Sequence, residues 1–189
     1  MRSKNNMKKA FFDFGPGVLN SEAWQKEMWK DYTIIGLEPD PVRYQRLKET
    51  YPGLLLNLAV SDKIEKSSGI FHDTSGFIAY GYPGYSKIVT VNAVTVDSID
   101  EKYGPFDEIA IWADIEGSEL RMLHGATEVL KKVKWINLEL HTGPRTAEWC
   151  RSSDIFKFLI DLKFVPDSQE KPQTPHDSSY DVIFTRKTQ

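Results

Sequence analysis

The chain has 189 residues, enough for one domain whose core needs no disulfide or zinc staple. Apolar residues make up 40% and charged residues 27%, with a net charge of −3, a balance that argues against a dedicated nucleic-acid binder. The single cysteine, Cys150, excludes an internal disulfide and any CxxC metal or redox site. The basic start runs into an apolar stretch broken by Asp13, Gly15, Pro16 and Gly17, so no signal core is expected. No apolar run reaches the roughly 18 residues that a membrane helix needs, and the expected location is the cytoplasm.

Ala10 to Phe14 reads as a strand that ends in Gly15-Pro16-Gly17. Asn20 or Ser21 can cap a helix running to about Lys30. Tyr32 to Leu37 is a second strand, and Glu38-Pro39-Asp40-Pro41 then opens a helix, with Pro41 near its first position. Leu54 to Val60 reads as a third strand ending at Ser61-Asp62. Lys63 to Asn92 reads as a hairpin or loop insertion, with Lys87 to Val94 a short strand. Glu108 to Ala113 is the next strand. After it Leu120, Leu123, Ala126, Val129, Leu130 and Val133 recur at helical spacing, with a break near Gly125. Trp135 to Leu140 is a strand and Ala147 to Leu162 a helix. Lys163 to Pro166 and Tyr180 to Thr185 are the final strands. Such an order predicts a single α/β domain over residues 1–189, with a mostly parallel sheet and helices on both faces. Ligands of such sheets bind beyond the carboxyl ends of the strands, so the residues after each strand are where chemistry belongs.

The first strand end carries Asp13-x-Gly15-x-Gly17, a turn in which glycine lets a ligand approach the backbone. Glu38 follows 23 residues after Gly15, where a carboxylate can accept both hydrogen bonds of a ribose diol. A solvated carboxylate at a helix start is the plainer alternative. Together the two features suit a nucleoside-bearing cofactor. The third glycine of a dinucleotide fingerprint is replaced by Asn20, and Asp13 can face a cationic amino-acid group or order the loop. Both details favour S-adenosylmethionine over NAD. Ser61 and Asp62 end the third strand, where Asp62 can accept from an adenine amine or simply cap the turn.

The densest polar cluster follows the fourth strand: Asp114, Glu116 and Glu119 around Gly117. Beside it should come Glu139 and His141 at the end of the fifth strand. Carboxylates and an imidazole on one rim suit either a general base or a divalent ion. Glu119 can also serve only the helix start, and Glu139 can be a structural acceptor. His72, His124 and His176 have no ligand-like spacing and read as surface or packing residues.

At this point the residues resemble the FkbM-type S-adenosylmethionine-dependent methyltransferases. The matching pieces are Asp13-Phe14-Gly15, Gly36-Leu37-Glu38-Pro39-Asp40-Pro41, Ala59-Val60-Ser61-Asp62 and Val94-Thr95-Val96-Asp97-Ser98-Ile99. Asp114-Ile115-Glu116-Gly117-Ser118-Glu119, Leu123-His124-Gly125-Ala126 and Ile136-Asn137-Leu138-Glu139 complete the set in family order. The resemblance implies a Rossmann-like class I methyltransferase fold, with a seven-stranded sheet in which one strand near the C-terminus is antiparallel. It implies S-adenosylmethionine over Asp13, Gly15, Gly17 and Glu38, with Ser61 and Asp62 toward the adenine. It implies O-methylation of a small-molecule hydroxyl, a sugar among the candidates, with Asp114, Glu116 and Glu139 near the transfer site. Asp114 or His141 would be the base, Glu116 would orient the acceptor, and no metal ligand is assigned. A loop bearing Tyr80, Tyr82 and Tyr85 is the candidate acceptor lid, or a hairpin covering the sheet edge.

The family's first motif has asparagine where this chain has Gly17, and a second glycine where it has Leu19. The N-terminal part is short against the family, so the site is left open there or is closed by another subunit. Two rivals stand beside this reading: a cofactor-binding module without catalysis, and a magnesium-dependent O-methyltransferase using the same acidic rim. A dehydrogenase is a distant third.

Overall fold

In the computed structural model the described residues are 7–17, 27–72, 76–79, 89–141, 151–169 and 179–186. The central strand β1 (Lys9–Phe14) is an almost uninterrupted apolar run, as a strand covered on both faces must be. Ala10, Phe11, Phe12 and Phe14 are all fully buried. It pairs in parallel with β2 (Thr33–Leu37) on one side and with β8 (Glu108–Ala113) on the other. Beyond β2 lies β3 (Leu54–Leu56), and beyond β8 lies β9 (Val133–His141), both parallel. The C-terminal strands β10 (Phe164–Gln169) and β11 (Ser179–Arg186) complete the sheet, in the order β10-β11-β9-β8-β1-β2-β3. β11 is antiparallel to both its neighbours, so six strands run one way and one runs against them. The chain leaves β1 toward β2 and returns on its other side at β8, so a crevice lies beyond the carboxyl ends of these two strands.

The pleat divides the core. Ala10, Phe12 and Phe14 pack with Ile35, Ile111 and Leu138 against α2 (Val96–Tyr103), α3 (Glu119–His124) and α4 (Ser152–Asp161). Phe11 faces the opposite way, stacked on Trp29 at 4.6 Å, with Trp29 also against Trp135 at 5.2 Å. Leu47 of α1 (Pro41–Leu47), Tyr51 and Leu55 cover the remainder of that face. Helices therefore flank both faces, as the sequence order requires.

The helix starts follow local chemistry. Asp40 caps α1, its Oδ1 accepting from Val42 N at 2.7 Å and Arg43 N at 3.3 Å, with Pro41 in the first turn. Thr95 caps α2, its Oγ1 accepting from Ser98 N at 3.1 Å. That helix was not anticipated from the sequence, although Val96 and Ile99 are its buried positions.

Four expectations need correction or limits. Leu54 to Val60 is not one strand: β3 stays in the main sheet and β4 (Ala59–Val60) joins a second one. The break falls at Asn57, whose Nδ2 donates to Glu38 O at 2.8 Å and Pro39 O at 3.0 Å. The helical pattern from Leu120 does not reach Val133. α3 stops at Gly125, a 3-10 turn covers Val129–Lys131, and Val133 opens β9. Apolar positions spaced for one helix are here shared among three elements facing the same core. Of the helix expected up to Lys30, the described part is a 3-10 turn, Glu27–Trp29, and residues 18–26 lie outside the described set. Of the helix expected over Ala147 to Leu162, Ser152–Asp161 is described.

The second sheet has the order β4-β7-β5-β6, built from β4, β7 (Val89–Val94), β5 (Glu65–His72) and β6 (Gly76–Ala79). β5 and β6 pair antiparallel, as a hairpin does, while Tyr80, Tyr82 and Tyr85 lie outside the described residues.

Candidate functional site

The two strands at the switch point meet through a glycine. Gly15 has φ +81°, and its N–H donates to Leu37 O at 3.0 Å. A Cβ there would stand 1.9 Å from the Asp114 carbonyl oxygen, so only glycine lets the ends of β1 and β8 close together. Gly17, with φ +71°, has nothing among the described residues within 4 Å of where its Cβ would be. The turn is thus tight at Gly15 and roomy at Gly17.

Asp13 and Glu38 sit beneath this turn. Asp13 is fully buried; its Oδ2 accepts from the Tyr51 hydroxyl at 2.9 Å, while Oδ1 has no partner among the described residues. Burial raises its pKa to about 7, against the pull of the Tyr51 hydrogen bond and with some help from the charge on Glu38. Glu38 is 3% exposed and accepts from Asp40 N at 2.9 Å and from the Gly17 N–H. Burial lifts it to about 7 as well.

Ser61 and Asp62 lie across the crevice, after β4. The buried Ser61 hydroxyl donates to Asp62 Oδ1 at 2.9 Å. Arg121 of α3 reaches the same Oδ1 with Nε at 3.0 Å and Nη2 at 2.7 Å, and touches Glu65 Oε1 at 2.6 Å. Burial pushes Asp62 up, but the bonds from Arg121 and Ser61 hold it below the ordinary carboxylate range. Gly125 permits this seating, since a Cβ there would meet Ser61 O at 2.2 Å.

The acidic rim follows β8. Glu116 and Gly117 take φ of 53° and 92°, which turns the chain sharply before α3. Glu119 is buried and reaches back to accept from Ile115 N at 3.3 Å and Gly117 N at 3.2 Å. It organises this loop, and burial raises its pKa to about 7. The loop brings Asp114 and Glu116 beside Glu139 of β9. One carboxylate oxygen from each lies within 4.8 Å of the others, a spacing that a divalent ion could bridge. Crowding by protein, then the charge of Glu139 and a hydrogen bond to it, hold Asp114 above the usual carboxylate range. Its surface still reaches solvent, which softens that effect.

Asp13, Gly15, Gly17 and Glu38 therefore gather at one end of the crevice, and Asp114, Glu116 and Glu139 at the other. His141 ends β9 opposite Ser179, and its side chain lies outside the described set. His124 packs edge-on against Phe158 at 4.9 Å, a packing role.

Four residues of this region escaped the sequence reading. Tyr51 precedes β3 and meets Asp13 only through folding. Arg121 looks like an ordinary helix-surface cation until it reaches Asp62. Asn137 is buried, donates Nδ2 to Asp181 Oδ1 at 3.1 Å, and leaves its Oδ1 without a partner. Asp181 lies directly opposite Glu139 in the β9–β11 register.

A family model described as the methyltransferase FkbM domain matches residues 16–166. Over 136 residues the chain is 27% identical to the hexuronic acid methyltransferase AglP of Haloferax volcanii, covering 69% of this chain and 54% of that protein. The chain thus spans about half the length of that relative. Among solved structures, Streptococcus pneumoniae Sp1610, described as a tRNA (m1A22) methyltransferase in complex with S-adenosyl-L-methionine, aligns with a TM-score of 0.52 at 12% identity. That alignment covers 97% of this chain and 69% of the other. The fibrillarin/Nop5p complex aligns at 0.53 with 9% identity, covering 95% and 72%. Likeness at these identities concerns the fold, which is the Rossmann-like fold of class I methyltransferases. Among the described residues, no helix is long and apolar enough to cross a membrane.

Proposed function

Because the chain belongs to the FkbM family of S-adenosylmethionine-dependent methyltransferases, we propose that it methylates a hydroxyl of a small, sugar-like acceptor. The observation that carries this reading is the pairing of the glycine cradle with an acidic rim across the Gly15–Asp114 contact. The residues fit the cofactor. Gly17 leaves open space above the turn, Asp13 keeps an unpartnered buried oxygen, and Glu38 stands at the end of β2. Bound there, the cofactor supplies a methyl group already activated on a sulfonium.

In this reading Gly15 and Gly17 let the backbone approach the ligand, Glu38 accepts from ribose hydroxyls, and Ser61 with Asp62 borders the base. Asp62 is held in place by Arg121. The residues of the acidic rim take the acceptor. Glu116 orients its hydroxyl, and a carboxylate oxygen of Asp114 receives the hydroxyl proton, a role worth about 10²–10⁴ in rate. The surroundings that raise its pKa make its ionised form a stronger proton acceptor, and that form gains population as pH rises. The likeness to AglP, a hexuronic acid methyltransferase, supports a sugar acid as the acceptor class. The lone cysteine and the composition support a cytoplasmic setting.

A second reading is favoured by the three converging carboxylates: Asp114, Glu116 and Glu139 would hold a divalent ion that binds the acceptor oxygen.

The test is calorimetric titration with S-adenosylhomocysteine, followed by a turnover screen over hexuronic acids and other polyols. Micromolar binding that Glu38→Ala weakens at least tenfold, with turnover lost in Asp114→Asn, supports the proposal. Absence of binding by the wild type overturns it. Turnover that EDTA abolishes and magnesium restores selects the second reading.

A further inference from the structure

Asp13 poses a problem of satisfaction. It is sealed from solvent, one carboxylate oxygen is engaged, and the other has no partner among the described residues. Unpaired buried carboxylate oxygens are rare because the group has lost water and gained nothing in return. The engaged oxygen is bound in an unusual way. Tyr51 lies across β2 to reach it, and the crossing is possible only because Gly36 has no side chain. A Cβ on Gly36 would stand 2.4 Å from Tyr51 Oη, 2.5 Å from Cζ and 2.9 Å from Cε1. Gly36 is the direct register partner of Asp13, so the phenol crosses at the strand position next to its target. The ring is anchored from the other side. Tyr51 N donates to Leu47 O at 2.8 Å, and the side chain packs with Leu47 and Leu55.

We propose that Tyr51 is a positioning residue for the amino-acid end of the cofactor: its hydroxyl fixes Asp13 Oδ2, so that Oδ1 is held ready for the cofactor's ammonium group. This rests on the cofactor reading above. The groups around Asp13 are consistent with a cationic guest. Tyr51 is a neutral donor, kept protonated by burial and by the charge of Asp13, and Glu38 is a second buried acid. Removing the hydroxyl takes away the bond that opposes protonation of Asp13, so the variant carries less negative charge there near neutral pH. An internal water on Oδ1 is the competing account, and it makes no demand on the ligand.

The experiment compares two probes by calorimetry at pH 7.5. One is S-adenosylhomocysteine. The other is its deaminated analogue, in which hydrogen replaces the α-amino group and all else is kept. The wild type is expected to prefer the amine by about tenfold or more. Tyr51→Phe keeps the ring over Gly36 and is expected to reduce that preference to within about twofold, mainly by weakening the amine-bearing probe. Asp13→Asn should do the same, and serves if Tyr51→Phe does not fold. An unchanged preference in the folded variants overturns the proposal and leaves the water account. Equal weakening of both probes also overturns it, since that is what a purely structural Tyr51 would produce. A wild type that binds both probes alike overturns the Asp13–ammonium contact while leaving the cofactor reading intact. A wild type that binds neither overturns both readings together.

Discussion

The two ends of the crevice treat their carboxylates in opposite ways. At the β1–β2 end, Asp13 and Glu38 are buried and each is held by protein donors: a phenol for one, backbone N–H groups for the other. At the β8–β9 end, Asp114, Glu116 and Glu139 crowd one another and reach solvent or partial exposure. The first arrangement fixes geometry before a ligand arrives. The second stores like-charge repulsion that a proton, a cation or an acceptor can relieve.

The sharpest way to break the contrast is Gly15→Ala, which attacks the contact joining the two ends. The added Cβ meets the Asp114 carbonyl on a backbone with positive φ, so both strain and clash apply. We expect a loss of about 3–5 kcal/mol or failure to fold, read by chemical denaturation.

Proton linkage gives the next effect. The folded pKa values of Asp13 and Glu38, about 7, exceed the ordinary carboxylate values of 3.8 and 4.5. The folded state therefore holds more protons between those limits, and stability is lost as pH rises through 7. These two groups should stabilise the ligand-free protein by about 2 kcal/mol on going from pH 8 to pH 6, and Glu119, also raised to about 7, adds to the same slope. Asp13→Asn combined with Glu38→Gln should reduce that slope in a thermal melt series, leaving the part that Glu119 carries. Asp62 and Glu65 are held low and act in the opposite sense, their contribution being lost at more acidic pH.

Arg121→Met keeps the bulk of the side chain but leaves Asp62 and Glu65 facing each other. A loss of about 1 kcal/mol is expected. Faster amide exchange in β4 and β5, with β1 unchanged, would locate it in the second sheet.

The smallest effect has the opposite sign. Asp114→Asn removes a carboxyl whose ionised form is disfavoured and should stabilise at alkaline pH by a few tenths to about 1 kcal/mol, since solvent already screens the cluster. A destabilised Asp114→Asn would mean that the rim is a hydrogen-bonded structural unit and not a strained one.

Much of this was legible in the residues. The apolar run of β1 and the alternation of apolar strands with capped helices led to a mostly parallel sheet with helices on both faces, while the seven strands and the antiparallel C-terminal one were what the family resemblance implied. Gly15, Gly17 and Glu38 were legible because tight turns and strand-end acids have local signatures. Asp114, Glu116 and Glu139 were legible as a cluster because adjacent parallel strands bring their ends together. What misled was sequence-local periodicity. Leu54 to Val60 looked continuous because both of its pieces are apolar, and a side-chain bond from Asn57 decides the break. Leu120 to Val133 kept helical spacing beyond the expected break at Gly125 because three short elements share one core face.

The sequence by itself determined the class of the fold, the crevice in which chemistry belongs, and the residue types lining it, since each follows from patterns only a few residues long. The tertiary structure alone decided which polar atoms are satisfied. Tyr51 reaches Asp13 across Gly36, Arg121 clamps Asp62 from helix α3, and Asp181 arrives beside Glu139 on an antiparallel strand. Those partners are separated by 38, 59 and 42 residues in the chain. Hydrogen bonds and ion pairs act over about 3 Å, so no local pattern can reveal them before the chain has closed on itself.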